Sequence, residues 1–321
     1  MSSLGVITNP TSGSGRGAKA GVETLAALAA RGHRLHDLTS GSWAASLDSA
    51  LRHRDSLDAL VVVGGDGMVH LGVQACAEHE LPLGIVAVGS GNDLAAALSL
   101  PVHDVAASVA AIDDALRSAT SGEGRPGDHG PVPLDVAAVT GPAIEHPSTP
   151  RYVLAIASAG IDAAVAARAR VMTWPRGSLK YRVAVLQELP RFRPYGVRIE
   201  ADGESWSQSC TLVAVANGPL FGGGLPLSPH SSFVDGELEL VVAEGLTPRQ
   251  ILPLFAALGK GTHLDDPRVR IVRAKRVSLS HDPDAGLPLP PAFADGELVG
   301  GGPLTVEVVP RALRVLGATP R

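Results

Sequence analysis

Three glycine-rich runs and three Asp-Gly-Glu triplets are the parts of this 321-residue chain whose residue types and spacing suit chemistry. The runs occupy residues 9–15 (NPTSGSG), 64–67 (GGDG) and 89–93 (GSGND). Each follows an apolar stretch that reads as a strand and precedes a stretch with helical periodicity. Glycine lets a backbone turn sharply and approach a ligand closely, and free N–H groups at the start of the next helix attract phosphate oxygens. One such run is equally well a tight turn, but three at neighbouring strand ends can surround a polyphosphate. Neither a Walker A pattern nor a GxGxxG fingerprint is present, so an ordinary P-loop or dinucleotide site is not indicated.

The triplets start at Asp202, Asp235 and Asp295. An Asp-Gly hairpin turn accounts for each of them without chemistry. Phosphoryl transfer to an alcohol, in contrast, needs in-line positioning, neutralisation of phosphate charge and a carboxylate near the attacking hydroxyl. The first triplet lies in a polar stretch, ADGES, and reads as a turn only.

The elements that must position these residues divide the chain in two. Strands expected at 4–8, 35–39, 59–63 and 84–88 alternate with helices at 18–31, 43–54, 68–79 and 102–117, which predicts a doubly wound α/β domain with a parallel sheet. Ligands of such sheets bind at the carboxyl ends of the strands. Residues 118–133 (SATSGEGRPGDHGPVP) have no apolar periodicity and read as a linker, so the first domain is drawn as 1–133. Strands expected at 153–157, 197–200, 211–216, 238–242, 269–272, 276–279 and 304–309, with helical stretches at 161–189 and 248–258, predict an antiparallel β-sandwich-like second domain over 134–309. The tail, about 310–321, is expected to pack back on the first domain.

Composition narrows the function. A formal net charge of -5 excludes a broad nucleic-acid footprint, which needs a surplus of Lys and Arg. Cys76 and Cys210 are too few for a disulfide framework or a zinc site. No stretch approaches the ~20 apolar residues of a membrane span, which predicts a cytoplasmic protein at most peripheral to the inner face of the membrane.

Taken together and in order, NPTSGSG, VVVGGDG, GSGNDLAAAL, SAGIDA (residues 158–163), ANGPLFGGGLPLSP (216–229) and the two later Asp-Gly-Glu triplets resemble the diacylglycerol kinase catalytic-domain family, which includes the bacterial diacylglycerol and sphingosine-type lipid kinases. The resemblance implies ATP and Mg2+ as cofactors and a lipid hydroxyl as acceptor. It implies that Asn9, Pro10, Thr11, Ser12, Gly13, Thr39, Gly64, Gly65, Asp66, Gly67, Ser90, Asn92 and Asp93 border the nucleotide. It assigns Glu297 as proton acceptor, with Asp66 organising metal or serving as the rival base, and Asp295 supporting either role. It also implies a magnesium ion held by the Asp235 carboxylate and the backbone carbonyls of Ser232 and Glu237.

Met68, His70 and Leu71 stand where the family often carries Thr, Asn and Glu, which keeps open a non-catalytic nucleotide- or lipid-binding protein. NAD kinases share the GGDG run, but the second half of the chain follows the lipid-kinase pattern. Arg168, Arg170, Arg176, Lys180 and Arg182, mixed with Met172, Trp174 and Tyr181, suit an anionic bilayer surface. The same residues suit an amphipathic helix with solvated arginines. The identity of the lipid is not written in the sequence, and a homodimer remains open.

Overall fold

Strands covered on both faces read as unbroken apolar runs, because neither side of the pleat meets water. β1 (Ser3–Thr8), β3 (Ala59–Gly64) and β4 (Leu83–Ala87) are of this kind. Leu4, Val61, Val62, Val63, Leu83 and Val86 are fully buried in them. The computed structural model describes residues 1–121, 130–144, 150–174 and 179–320. It resolves the chain into two units, the first made of 1–136, 232–235 and 309–321, the second of 137–231 and 236–308.

In the first unit β2 (Arg34–Asp37) completes a parallel sheet of order β2-β1-β3-β4. The helices are α1 (Ser12–Ala30), α2 (Trp43–His53), α3 (Asp66–Cys76), α4 (Asp93–Ala97) and α5 (Val105–Ser121). Leu28 of α1 and Val109 and Ile112 of α5 join Val61, Val63 and Val86 in one core. α2 begins on Ser42, whose hydroxyl accepts the Ala45 amide. Residues 122–129 of the expected linker lie outside the described residues; before them α5 runs to Ser121, and after them a strand begins at Val132.

The second unit is antiparallel. Its elements are β5 (Val132–Thr140, which starts in the first unit), β6 (Ala143–Ile144), β7 (Arg151–Val153), β8 (Ile156–Gly160), α6 (Ile161–Val171), α7 (Leu179–Glu188), β9 (Tyr195–Ala201), β10 (Glu204–Ala216), β11 (Leu238–Glu244), α8 (Pro248–Leu258), β12 (Val269–Ala274), β13 (Arg276–His281), β14 (Ala292–Ala294), β15 (Glu297–Gly301) and β16 (Leu304–Val315). β10 pairs with β9 through Cys210 and with β8 from Leu212 onward, so one long strand changes partner at the corner of the sandwich. Val197, Ile199, Val213, Val215, Leu240, Val277 and Val306 fill the core between the layers. The end of β16 returns to the first unit, where Val315 pairs with Leu83 and the Thr319 amide donates to the Leu98 carbonyl.

Two differences from the sequence expectations have physical causes. The strand expected at 153–157 is broken into β7 and β8, because the amides of Leu154, Ala155 and Ile156 turn to a carboxylate instead of a neighbouring strand. β14 and β15 were not expected, because they are too short to carry a clear alternation.

The packing of α1 on β1 yields a test. A β-carbon at Gly17 would lie 2.0 Å from the Asn9 carbonyl oxygen, which is backbone and cannot swing away. Gly17→Ala is expected to lower stability by about 1–3 kcal/mol, read as a fall in the urea midpoint, while Gly222→Ala, where a β-carbon meets nothing within 4 Å and φ is not positive, is expected to cost less.

Candidate active site

The three glycine runs converge at the carboxyl ends of β1, β3 and β4. After β1, Asn9 donates its amide to the Val63 carbonyl and accepts both the amide and the hydroxyl of Thr11 on its side-chain oxygen. Gly13, Ser14 and Gly15 then take φ of 57, 61 and 96°, so the run wraps outward before the regular turns of α1 begin. A β-carbon on Gly13 would lie 2.2 Å from the Val88 carbonyl oxygen. Gly89 approaches Gly65 so closely that a β-carbon on Gly89 would lie 2.4 Å from the Gly65 α-carbon. Arg16 bridges the first and third runs, donating to the carbonyls of Gly13 and Gly89. Thr39, on the exposed connection after β2, accepts the Thr8 amide on its hydroxyl.

Asp66 opens α3 directly after Gly65. Its carboxylate accepts the amides of Asn92 at 2.9 Å and Leu94 at 3.1 Å, tying the second run to the third. Asn92 is buried, adopts a left-handed backbone, and closes its side-chain amide on both the N–H and the carbonyl of Gly89. Asp93 begins α4, and Ser90 is exposed at the tip of the run. The arrangement is a set of backbone amides held in place by two side chains, with Ser12, Ser90 and Thr39 supplying hydroxyls around it. That is a donor set for an anion.

The Asp-Gly-Glu triplets separate by their surroundings. Asp202 and Asp295 both have positive φ, 47 and 49°, followed by glycines at 92 and 85°, the geometry of a two-residue hairpin turn. Asp202 accepts the exposed amides of Lys275 and Arg276. Asp295 accepts the amides of the buried residues Leu154, Ala155 and Ile156. Glu204 then points into solvent, whereas Glu297 lines a cleft of about 300 Å³ together with Ala166, Ala169, Arg170, Lys180 and Phe293. Arg170 of α6 stands 3.6 Å from the Glu297 carboxylate, and the Glu297 side chain is 37% exposed, so the acid is accessible and faces a cation. Arg176 lies outside the described residues; Trp174 is exposed.

At the head of α6, the Ser158 hydroxyl donates to Asp162, whose carboxyl is held above the usual carboxylate range chiefly by burial, against the pull of that hydrogen bond. Burial, with Asp162 nearby, also pushes the Cys210 thiol up to about 12.

The middle triplet differs again. The Glu237 carboxylate pairs with Arg273 at 3.1 Å. Phe233 is buried and its carbonyl accepts the Asp135 amide, which anchors the loop, while Asp235 is exposed. Among the described residues no group of three His, Cys, Asp or Glu side chains is arranged around a metal position. Magnesium keeps several waters and takes one or two carboxylates, so Asp235 with loop carbonyls has the chemistry for such an ion.

Comparison with known proteins bears on this geometry. Residues 3–125 match the diacylglycerol kinase catalytic domain, and residues 155–317 match the YegS C-terminal NAD kinase beta sandwich-like domain. A protein named diacylglycerol kinase from Mycobacterium tuberculosis (strain ATCC 25618 / H37Rv) is 32% identical over 97% of this chain and 93% of its own length. The chain belongs to the diacylglycerol kinase catalytic-domain family. Another family member, the diacylglycerol kinase of Bacillus subtilis (strain 168), is 28% identical over 95% of this chain and 92% of its own. Among solved structures, a diacylglycerol kinase from Bacillus anthracis str. Sterne shares the fold with a TM-score of 0.67 at 18% identity, covering 99% of this chain and 97% of that one.

For a member of the diacylglycerol kinase family, the residues at the departures form a packed group. His70 is fully buried and its ring lies against that of Trp43, and the Trp43 indole N–H donates to the Gly67 carbonyl. Met68 is buried beneath Gly64. Sequence reasoning did not select Trp43, Arg16 or the pairing of Arg170 with Glu297. Arg16 had a signal, being the one basic residue just after a glycine run, and Arg170 had been grouped with a surface patch.

The contrast between the two hairpins is testable. Asp295→Ala strips the acceptor from three buried amides and is expected to cost roughly 3 kcal/mol or more, whereas Asp202→Ala, with the same left-handed backbone but at exposed amides, should cost less; chemical denaturation of the two variants checks the difference.

Proposed function

We propose that this family member transfers the γ-phosphoryl group of ATP to a hydroxyl of diacylglycerol or a related lipid. The nucleotide's phosphates lie against the amides of the three glycine runs in the first unit, and the lipid hydroxyl is presented to Glu297 in the second. The observation that carries the reading is the setting of Glu297. Of the glutamates in the two hairpin triplets, Glu204 is exposed, whereas Glu297 lines a cleft with Ala166, Ala169 and Phe293 and two cations, Arg170 and Lys180. The relatives named diacylglycerol kinase support the choice of acceptor.

In this reading Glu297 accepts the proton that the lipid hydroxyl loses as its oxygen attacks phosphorus. Arg170 holds the carboxylate toward the cleft, and Ala166, Ala169 and Phe293 give the glycerol or acyl portion an apolar surface. Asp66 acts by fixing the third run through Asn92 and Leu94, which keeps its amides aimed at the phosphates. Magnesium, when bound, supplies positive charge that offsets the charge of the phosphates. The residues that would hold a magnesium ion in the middle triplet's loop are Asp235 through its carboxylate and Ser232 and Glu237 through their carbonyls.

The lipid reaches the protein from a bilayer, and the exposed Trp174 beyond α6 suits that encounter, whereas Arg168 and Arg170 of α6 are engaged by Glu188 and Glu297. Among the described residues no helix is long and apolar enough to cross a membrane.

Glu297→Gln is the direct test, because it keeps shape and removes the base. Its turnover with ATP and diacylglycerol is expected to fall by about 10²–10⁴-fold while ATP affinity and thermal stability stay near those of the parent chain. Turnover within a few-fold of the parent would remove Glu297 from the role.

A further inference from the structure

α8 turns one face into the second unit and leaves the other to solvent. Ile251 and Leu258 are buried, and Ile251 and Leu254 pack with Leu189, Phe192 and Leu246. On the outward side Leu252 and Phe255 remain 56% and 54% exposed, with Pro253 and Ala256 exposed beside them. Residues three apart share one stripe of a helix, so Leu252 and Phe255 form a continuous apolar strip facing water. The charges around that strip are of one sign. Arg249 lies three residues before Leu252 and Lys260 four after Ala256, which places them at the two ends of the strip. Arg191 and Arg193 flank Phe192, which packs under the helix. All four cations are exposed, and among the described residues none of them is paired with a carboxylate. Of the acids nearest in sequence, Glu188 is held by Arg168 and Asp266 by Arg268, which leaves Glu244 and Asp265 against the four cations. Arg249 also stands in the first turn of α8, where the helix dipole disfavours a cation and no acid is present. A positive charge at that position gains only from an anion outside the helix.

We propose that this face of α8 is the surface by which the chain docks on an anionic bilayer. Leu252 and Phe255 enter the headgroup region, and Arg249, Lys260, Arg191 and Arg193 meet the lipid phosphates. The proposal rests on the lipid-kinase reading above for why the chain meets a bilayer, and adds the surface that does so. Binding of an interfacial helix scales with the apolar area it buries and with the attraction of its basic residues to anionic headgroups. α8 offers both, whereas the arginines of α6 are taken up by Glu188 and Glu297. A second copy of the chain is the weaker occupant. A two-fold contact through this strip would bring like charges together, and two half-exposed side chains fall far short of the ~800 Å² per partner that a stable dimer buries.

The test measures binding of the purified full chain to sedimenting vesicles without ATP, so that docking is read apart from turnover. Vesicles of equimolar phosphatidylcholine and phosphatidylglycerol are compared with vesicles of phosphatidylcholine alone. The parent chain is expected to prefer the anionic vesicles and to come off them as salt is raised. Leu252→Ser combined with Phe255→Ser, and separately Arg249→Gln combined with Lys260→Gln, are each expected to weaken that binding about tenfold or more. Turnover of short-chain diacylglycerol in detergent micelles should stay near that of the parent in both. Unchanged vesicle binding in the two variants would overturn the proposal, as would equal binding of the parent to both kinds of vesicle. So would a parent dimer that the serine variant converts to monomers with no loss of vesicle binding, because the strip would then belong to a contact between copies. A parent chain that phosphorylates no diacylglycerol, yet loses vesicle binding in the variants, would overturn the lipid-kinase reading and leave the docking surface standing. Should the serine variant not fold, Phe255→Trp decides: its added emission is expected to shift to the blue on anionic vesicles, and no shift would overturn the proposal.

Discussion

Two backbones can touch only where neither carries a β-carbon at the point of contact, and the first unit is organised around such a point. Gly65 and Gly89 meet there, with room for no larger residue. Gly13 makes a similar approach to the Val88 carbonyl. Drawing three strand-to-helix connections together in this way concentrates unsatisfied amides in one small volume, which is unfavourable unless an anion or a carboxylate answers them. Asp66 answers two, those of Asn92 and Leu94, and Asn92 clamps Gly89. The remaining amides are those to which the proposed phosphate site is assigned, so in that reading the glycine contact sets both the architecture and the chemistry of this unit.

Carboxylates serve the fold in the same manner elsewhere. Asp295 gathers three amides between β7 and β8 and so pins the hairpin that presents Glu297 at its cleft. Asp202 does the equivalent at a solvent-exposed turn. In the two hairpin triplets, then, the aspartate shapes the turn and the glutamate's surroundings decide whether chemistry is offered. Asp295 is accordingly a positioning residue in this account, and the proton-accepting role falls on Glu297.

The first unit was largely legible from sequence because buried parallel strands are written as apolar runs and the glycine runs sit at their ends. Pro248–Leu258 was legible for a similar reason, being a helix with proline at its start and a clear apolar face. What escaped was non-local. The break between β7 and β8 is imposed by Asp295, some 140 positions away in sequence, and no local pattern announces it. The pairing of Trp43 with His70 and of Arg170 with Glu297 likewise joins segments distant in the chain. His70, read alone, was a departure from a family pattern; beside Trp43 it is part of a packed aromatic pair.

The central claim is that the amides gathered by the glycine contact and the acid pinned by Asp295 serve one reaction. The most direct measurement incubates the purified chain with γ-labelled ATP, magnesium and vesicles containing diacylglycerol, then partitions the label between lipid and water. The account predicts label in the lipid fraction as a phosphomonoester. ATP bound without any label entering lipid, or label appearing instead in a dinucleotide when NAD is supplied, would contradict it.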